Sequence, residues 1–175
     1  MNQKIIIADD FYDIAYKYHK SFSEGKCLIT EETISKISTL LQQEIEVVEA
    51  FNEEICKDIT TITANNASDW IGVIYLSLPG DCVSSQGIKF YKHKNTDLES
   101  FPNDYAKNLL GLQTIEDLQK TFDVSNPNDW KEYADVFIKY NRLVLFRSDL
   151  WHSYGSANLN NSIIYQKILL RNGSV

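Results

Sequence analysis

Three histidines, His19, His93 and His152, are the side chains of this chain best suited to acid–base chemistry or metal binding. His19 falls in a predicted N-terminal helix, where a surface position is the simpler interpretation. His93 follows a predicted strand and stands between two lysines, which favours an exposed residue at a strand end. His152 follows a late apolar strand. The secondary-structure elements that position these histidines decide which of them can do chemistry.

Cysteines and charge exclude several classes of protein. Cys27, Cys56 and Cys82 are widely spaced and form no CxxC pair, so neither a zinc knuckle nor a disulfide framework is indicated. Reduced thiols fit a cytoplasmic protein. A net charge of −7 without a basic patch argues against a nucleic-acid or anionic-membrane partner. The N-terminus has no secretory signal, and no apolar run approaches the roughly 20 residues that span a bilayer.

The N-terminal part of the chain predicts helices that pack on a sheet. Residues 4–8 form a short isoleucine-rich strand, and Asp9 or Asp10 caps a helix that ends near Phe22. Thr30-Glu31-Glu32 predicts the start of a second helix, and in residues 34–45 apolar side chains recur at helical spacing on one face. That face should pack on a sheet.

The rest of the chain predicts mainly strands. Extended chain begins near Glu46 and continues through residues 59–64, although helix is not excluded just after Glu46. Residues 103–122 are polar and predict a helical or irregular insertion. No linker or repeat interrupts residues 1–175, so we expect one domain, mainly β or α+β. The further strands are predicted at residues 70–76, 87–91, 134–140, 142–146 and 163–170.

Three segments together carry a resemblance to a known superfamily. They are residues 62–76, residues 87–94, and residues 140–146 followed by Leu150-Trp151-His152-Ser153. In this order and spacing they resemble the iron/2-oxoglutarate oxygenases, and most of all an uncharacterised oxygenase-like family related to prolyl hydroxylases. The likeness covers roughly residues 46–170. It implies a double-stranded β-helix (a cupin-like jelly roll) with the N-terminal helices packed on its sheet.

The resemblance also implies a metal site, and this chain departs from it. The superfamily places a His-x-Asp pair where this chain has Thr63-Ala64-Asn65, and a second histidine at His152. Those three ligands form the facial triad that holds ferrous iron. Here only His152 is retained as a metal ligand. The basic residue that pairs with 2-oxoglutarate is missing near residues 162–164, where a guanidinium is expected, and Lys167 is the remaining weak candidate.

Candidate site residues follow from this comparison. Tyr75 and Trp151 either fill the barrel or line a ligand cavity, and the sequence alone leaves both roles open. Asn141 and Arg142 are expected to brace the strand that presents His152. Catalytic roles are predicted for His152, Asn65 and Tyr75, and substrate contacts for Thr63, Trp151 and Lys167.

Three functions stay open. The first is a divergent oxygenase fold that lacks the usual ligand set and binds or acts on a small molecule or protein partner in the former active-site cavity. The second is a metal-independent isomerase, lyase or cyclase that uses His152 as acid or base. The third is an active 2-oxoglutarate-dependent hydroxylase with non-standard ligands. No cofactor is expected in the first two, and iron with 2-oxoglutarate only in the third.

Overall fold

The computed structural model describes residues 3–55, 61–64, 67–80, 87–154 and 163–173. Predicted features at Cys56, Cys82, Asn65 and Ser162, and residues 59–60 of the predicted strand, lie outside these ranges. The elements are β1 (Ile5–Ala8), α1 (Ala15–Ser23), α2 (Glu31–Leu41), β2 (Ile45–Ile55), β3 (Trp70–Tyr75), β4 (Gly87–His93), α3 (Asp104–Leu110), α4 (Ile115–Thr121), β5 (Trp130–Phe137), β6 (Leu143–Arg147), β7 (His152–Tyr154) and β8 (Ile163–Asn172).

Two antiparallel sheets form the body of the protein. The larger sheet has the strand order β1-β6-β3-β8-β2, and the smaller has the order β5-β4-β7. β3 lies between β6 and β8, so that Val73 is opposite both Val144 and Lys167. The predicted class, mainly β with N-terminal helices on a sheet, is confirmed.

The larger sheet is covered on both faces, and each face has its own hydrophobic core. Because side chains alternate along a strand, Val144 and Phe146 of β6 face the smaller sheet. Leu143 and Leu145 face the other way, toward α1 and α2. We call the core between the two sheets the inner core and the core under the helices the outer core. This double burial explains why residues 70–76 form a largely apolar run and do not alternate with polar residues.

Helix α2 begins where the sequence predicts and ends earlier. The Thr30 hydroxyl accepts a hydrogen bond from the Thr33 amide at 3.2 Å, which caps the first turn. The helix stops at Leu41 because Gln42 has a left-handed backbone with a φ of 56°. The prediction that the helix reaches Ile45 is wrong, since Ile45 is the first residue of β2.

Helix α1 begins later than predicted, at Ala15, and neither Asp9 nor Asp10 caps it. Asp9 instead pairs with Arg142 at 2.6 Å and Lys139 at 2.9 Å. These hydrogen bonds, first that of Arg142 and then that of Lys139, lower the pKa of Asp9 to about 2. Asp9 therefore ties the segment after β1 to the turn before β6.

The insertion predicted at residues 103–122 is helical and consists of α3 and α4. A third cluster packs beside it, formed by Ile62, Phe122, Trp130 and Trp151. β5 begins at Trp130, earlier than the predicted residue 134, and β7 was not predicted as a strand. No helix in the described part of the chain is long and apolar enough to cross a membrane.

Candidate functional site

His152 is the first residue of β7, and its ring lies between the two sheets. The residue is 1% exposed. The imidazole contacts the Phe146 ring edge-on, with centroids 4.8 Å apart, and the Tyr154 ring at 5.3 Å. β4 holds the strand from one side, with Phe90 opposite His152. The side chains between the two sheets therefore fix the ring at the position where the family resemblance implies a metal ligand.

Burial keeps this imidazole uncharged. Nδ1 lies 2.8 Å from the Leu150 carbonyl oxygen and donates to it, so the lone pair of the neutral ring is on Nε2. Burial lowers the pKa of His152 to about 4, and the nearby charge of Lys167 acts in the same direction. At neutral pH, Nε2 is thus available as a proton acceptor or as a donor to a metal.

Thr63 is in direct register with His152. The two residues exchange backbone hydrogen bonds of 2.8 and 2.9 Å in an isolated antiparallel bridge. Side chains directly opposite in an antiparallel pair point to the same face. Thr63 is exposed whereas His152 is buried, so Thr63 lies at the rim of the space that His152 lines.

The donor set does not fit an iron ion held by the usual triad. The side chain in register with His152 is a neutral hydroxyl, which supplies neither imidazole nitrogen nor negative charge. Within the ranges described, no group of three His, Cys, Asp or Glu side chains is placed to hold a metal. Asn65, the other predicted departure, lies outside those ranges.

Lys167 lies on β8 and also faces the space between the sheets. Its Nζ is 5.0 Å from the centroid of the Tyr154 ring and 5.4 Å from that of Phe51. The nearest carboxylate is that of Glu53, with Oε1 at 3.8 Å from Nζ. The structure thus brings Lys167 to the same interior as His152, where its charge acts on the imidazole.

Three tyrosines complete this interior. Tyr165 donates a hydrogen bond to Glu53, stacks on Tyr154 at 5.7 Å and meets Tyr75 edge-on at 6.2 Å. The hydroxyl of Tyr154 is buried and has no hydrogen-bond partner among the described residues. Burial raises the pKa of Tyr154 and Tyr165, so both phenols stay protonated at neutral pH. Tyr75, predicted as a site residue, lies in this inner core.

Trp151 is not part of this interior. Consecutive strand residues point to opposite faces, so Trp151 points away from the His152 side. It stacks on Phe122 at 5.6 Å and contacts Trp130 at 4.9 Å. The structure places Trp151 in the cluster that packs against α4 through Leu118, so it is not brought together with His152, Tyr75 and Lys167.

His93 differs from the prediction, which is wrong in placing it on the surface. It is 1% exposed and sits between the rings of Phe122 and Trp130 at 5.0 and 5.2 Å. Its Nδ1 is 3.1 Å from the Thr96 hydroxyl, and burial lowers its pKa. His19 is half-buried, and its Nδ1 donates to the carbonyl of Leu76 at 2.9 Å. Both histidines connect elements of the fold.

Sequence analysis missed Tyr154, Tyr165, Glu53 and Phe51. A signal existed for Tyr165, because alternation along β8 places it on the same face as Lys167. Glu53 and Phe51 had none, since only the register of β2 on β8 sets Phe51 opposite Lys167 and Glu53 opposite Tyr165. Three cavities of about 250, 170 and 300 Å³ that are bounded by described residues are not lined by His152.

No protein-family model and no curated protein sequence matches this chain. Solved structures do match. HygX from Streptomyces hygroscopicus with iron bound is similar over 97% of this chain and 82% of its own, at 8% identity and a TM-score of 0.56. HygX with nickel and 2-oxoglutarate bound matches over the same shares at 8% identity, with a TM-score of 0.54.

SnoN, a non-heme alpha ketoglutarate dependent epimerase from nogalamycin biosynthesis, is similar over 97% of this chain and 78% of its own. The identity is 5% and the TM-score 0.57. This chain has the iron/2-oxoglutarate oxygenase fold. The predicted resemblance is confirmed at the level of the fold, and identities this low carry no activity to this chain.

Proposed function

We propose that this oxygenase-fold chain binds or acts on a small organic molecule between its two sheets, without iron held by the usual three ligands. The observation that carries the proposal is the register of Thr63 against His152. The oxygenase resemblance expects a histidine at this position. Because Thr63 stands there, His152 is the only one of the two expected histidine ligands that this chain retains.

The residues around His152 indicate what such a molecule would meet. A neutral imidazole, the hydroxyl of Tyr154 and the Lys167–Glu53 pair offer polar contacts, and the Phe146 ring beside His152 offers an apolar one. Ligand sites typically combine apolar walls with a few placed polar groups. A small, partly apolar molecule with one or two polar groups suits this lining.

Metal binding tests the proposal directly. Anaerobic titration of the purified protein with ferrous iron and 2-oxoglutarate should show no tight binding, and no turnover once oxygen is admitted. A matched variant carrying Thr63→His and Asn65→Asp restores the expected ligands and should gain iron affinity. Tight iron binding and 2-oxoglutarate consumption by the unmodified chain would instead establish a hydroxylase with non-standard ligands, and iron with 2-oxoglutarate would then be its cofactors.

A second candidate is a metal-independent isomerase, lyase or cyclase. The observation that favours it is the pairing of a neutral His152 with the buried, unpartnered hydroxyl of Tyr154 in the described interior. Nε2 of His152 would take a proton from the substrate, while the Tyr154 hydroxyl, which keeps its proton, would stabilise the developing negative charge by a hydrogen bond. Tyr75 and Asn65 are proposed to orient the substrate, and Thr63 and Lys167 to contact it. Trp151 is proposed as a further contact, which a substrate would reach from the side of Phe122 and Trp130.

Ligand-observed NMR with a metabolite mixture separates binding from catalysis. A bound compound that is also converted identifies an enzyme, and His152→Gln should then abolish conversion. A compound that binds without conversion supports the first candidate. Conversion at the same rate by His152→Gln would rule out His152 as acid or base.

The remaining proposals concern the chain as a whole. We infer one domain over residues 1–175, a small molecule or a protein as partner, and a cytoplasmic location. The net charge of −7 supports the inference that neither nucleic acid nor an anionic membrane is a partner.

A further inference from the structure

A cleft lies on the outer face of the larger sheet, where β3 begins and β6 ends. Two adjoining cavities of about 250 and 170 Å³ share Gln3, Trp70 and Arg147 in their walls. Trp70 is opposite Arg147 in the β3–β6 ladder, so both side chains project to the same face. Trp70 packs with the outer core, and His152 belongs to the opposite side of the sheet.

Arg147 has an incompletely paired charge. Its guanidinium carbon lies 5.6 Å from the centroid of the Trp70 ring. Nε is buried and lacks a hydrogen-bond partner among the described residues, since the carboxylate of Asp149 is 3.8 Å away, beyond hydrogen-bonding distance. An arginine in this condition favours an added oxyanion because its planar fork pairs with two oxygens at once.

The larger cavity offers a floor and polar walls for the remainder of a ligand. Its apolar floor is formed by Ile6, Leu40 and Leu41, beside Trp70. Its polar lining includes the amides of Gln43 and Asn172, which are joined by a hydrogen bond of 2.5 Å. Among the described residues, no carboxylate side chain lines this cavity. The smaller one is lined by Asp149 and by Lys4, whose ammonium is already paired with Glu99 at 2.8 Å.

We propose that this cleft binds a small monocarboxylate with a compact apolar body, whose carboxylate pairs with Arg147 and whose body rests on the floor beside Trp70. The larger cavity alone, at about 250 Å³, holds a compact body, since sites for drug-sized ligands typically measure about 300–1,000 Å³. A single negative charge suits the cleft better than a dianion. The chain carries a net charge of −7, and Asp149 repels any added anion.

The experiment uses benzoate as the probe and benzamide, its uncharged counterpart, as the ligand control. Each is titrated into ¹⁵N-labelled full-length protein while the Trp70 indole and Arg147 Nε signals are followed, with Trp70 assigned from Trp70→Phe. Benzoate should shift both signals saturably in the millimolar range, and benzamide should shift them far less. Inorganic phosphate should bind more weakly than benzoate.

Three variants separate this site from general charge effects. Arg147→Gln should weaken benzoate binding about tenfold or more, as expected for a lost hydrogen bond to a charged group. Asp149→Asn removes the competing carboxylate and should strengthen binding. Lys20→Gln removes one positive charge from the exposed surface of α1 and should leave the affinity unchanged.

Absence of a saturable shift with benzoate would overturn the proposal, as would equal binding of benzamide or of phosphate. Unchanged affinity in a folded Arg147→Gln variant would do the same. If that variant does not fold, Asp149→Asn decides, because weaker or equal binding there contradicts competition for Arg147. The proposal is independent of the interior site, since Trp70 and Arg147 project to the opposite face of the sheet from His152.

Discussion

At the scale of single residues, His152 shows how burial sets chemistry. Its ring stays neutral because the surrounding apolar side chains exclude the water that would solvate a charge. The same burial leaves the Tyr154 hydroxyl without a partner among the residues described. Groups of this kind, with perturbed titration in a shielded interior, are common in functional sites, and they also make a fold sensitive to acid.

His152→Gln should reduce the acid sensitivity of folding. With a pKa of about 4 in the folded protein and 6.5 ordinarily, the histidine binds more protons when unfolded across that interval. Stability is therefore fully present above pH 6.5 and falls as the pH drops toward 4, by about 3 kcal/mol in total. Urea unfolding at pH 7, 5.5 and 4.5 measures how the free energy of unfolding changes with pH in the unmodified chain and in His152→Gln.

His93 acts in the same direction, because burial also lowers its pKa. His152→Gln should therefore lose part of the pH dependence of the free energy of unfolding, and a variant that also carries His93→Gln should lose more of it. If His152→Gln and the unmodified chain lose stability in parallel from pH 7 to 4.5, the imidazole is not held neutral by the fold.

At the scale of elements, close backbone contacts and backbone conformation decide where strands pair and helices end, at positions where the side chains do not predict it. β4 and β5 approach closely at Gly87, where an added Cβ would lie 2.0 Å from the carbonyl oxygen of Val136. Apolar content predicted β3 from the sequence, and alternation predicted β4. The helix predicted through Ile45 was too long, because the left-handed backbone of Gln42 ends it without the glycine that usually marks such a position. The predicted start of β5 was four residues too late, at residue 134 and not at Trp130.

Gly87→Ala should destabilise the smaller sheet, and with it the strand next to β7. The methyl group cannot fit without separating β4 from β5, so we expect a loss of about 3 kcal/mol or more in the free energy of unfolding. Gly80→Ala is the matched control, since nothing lies within 4 Å of its added Cβ. Equal urea midpoints for the two variants would show that the strands separate at little cost.

At the scale of the whole molecule, the larger sheet joins two cores with different tasks. The inner core surrounds His152 and the tyrosines, and the outer core fixes α1 and α2 to the sheet. Ile37 of α2 is 1% exposed and belongs to the outer core. Ile34, in the same helix, is half-buried.

Ile37→Ala should lower the free energy of unfolding by about 2–5 kcal/mol, the usual cost of emptying a buried isoleucine site. Ile34→Ala, which makes the same chemical change at a half-buried position, should cost clearly less. Chemical denaturation of both variants gives the comparison. Similar losses at the two positions would mean that α2 is not held mainly through Ile37.

The sequence by itself determined the class of the fold and most strand positions, and it indicated His152 as the residue to test. Apolar runs, β-branched residues and local spacing carry these features along the chain. Only the tertiary structure decided which residues meet. Strand register set Thr63 against His152 and Lys167 between Phe51 and Tyr154, and alternation turned Trp151 away. Such contacts join residues far apart in sequence, so no local pattern encodes them.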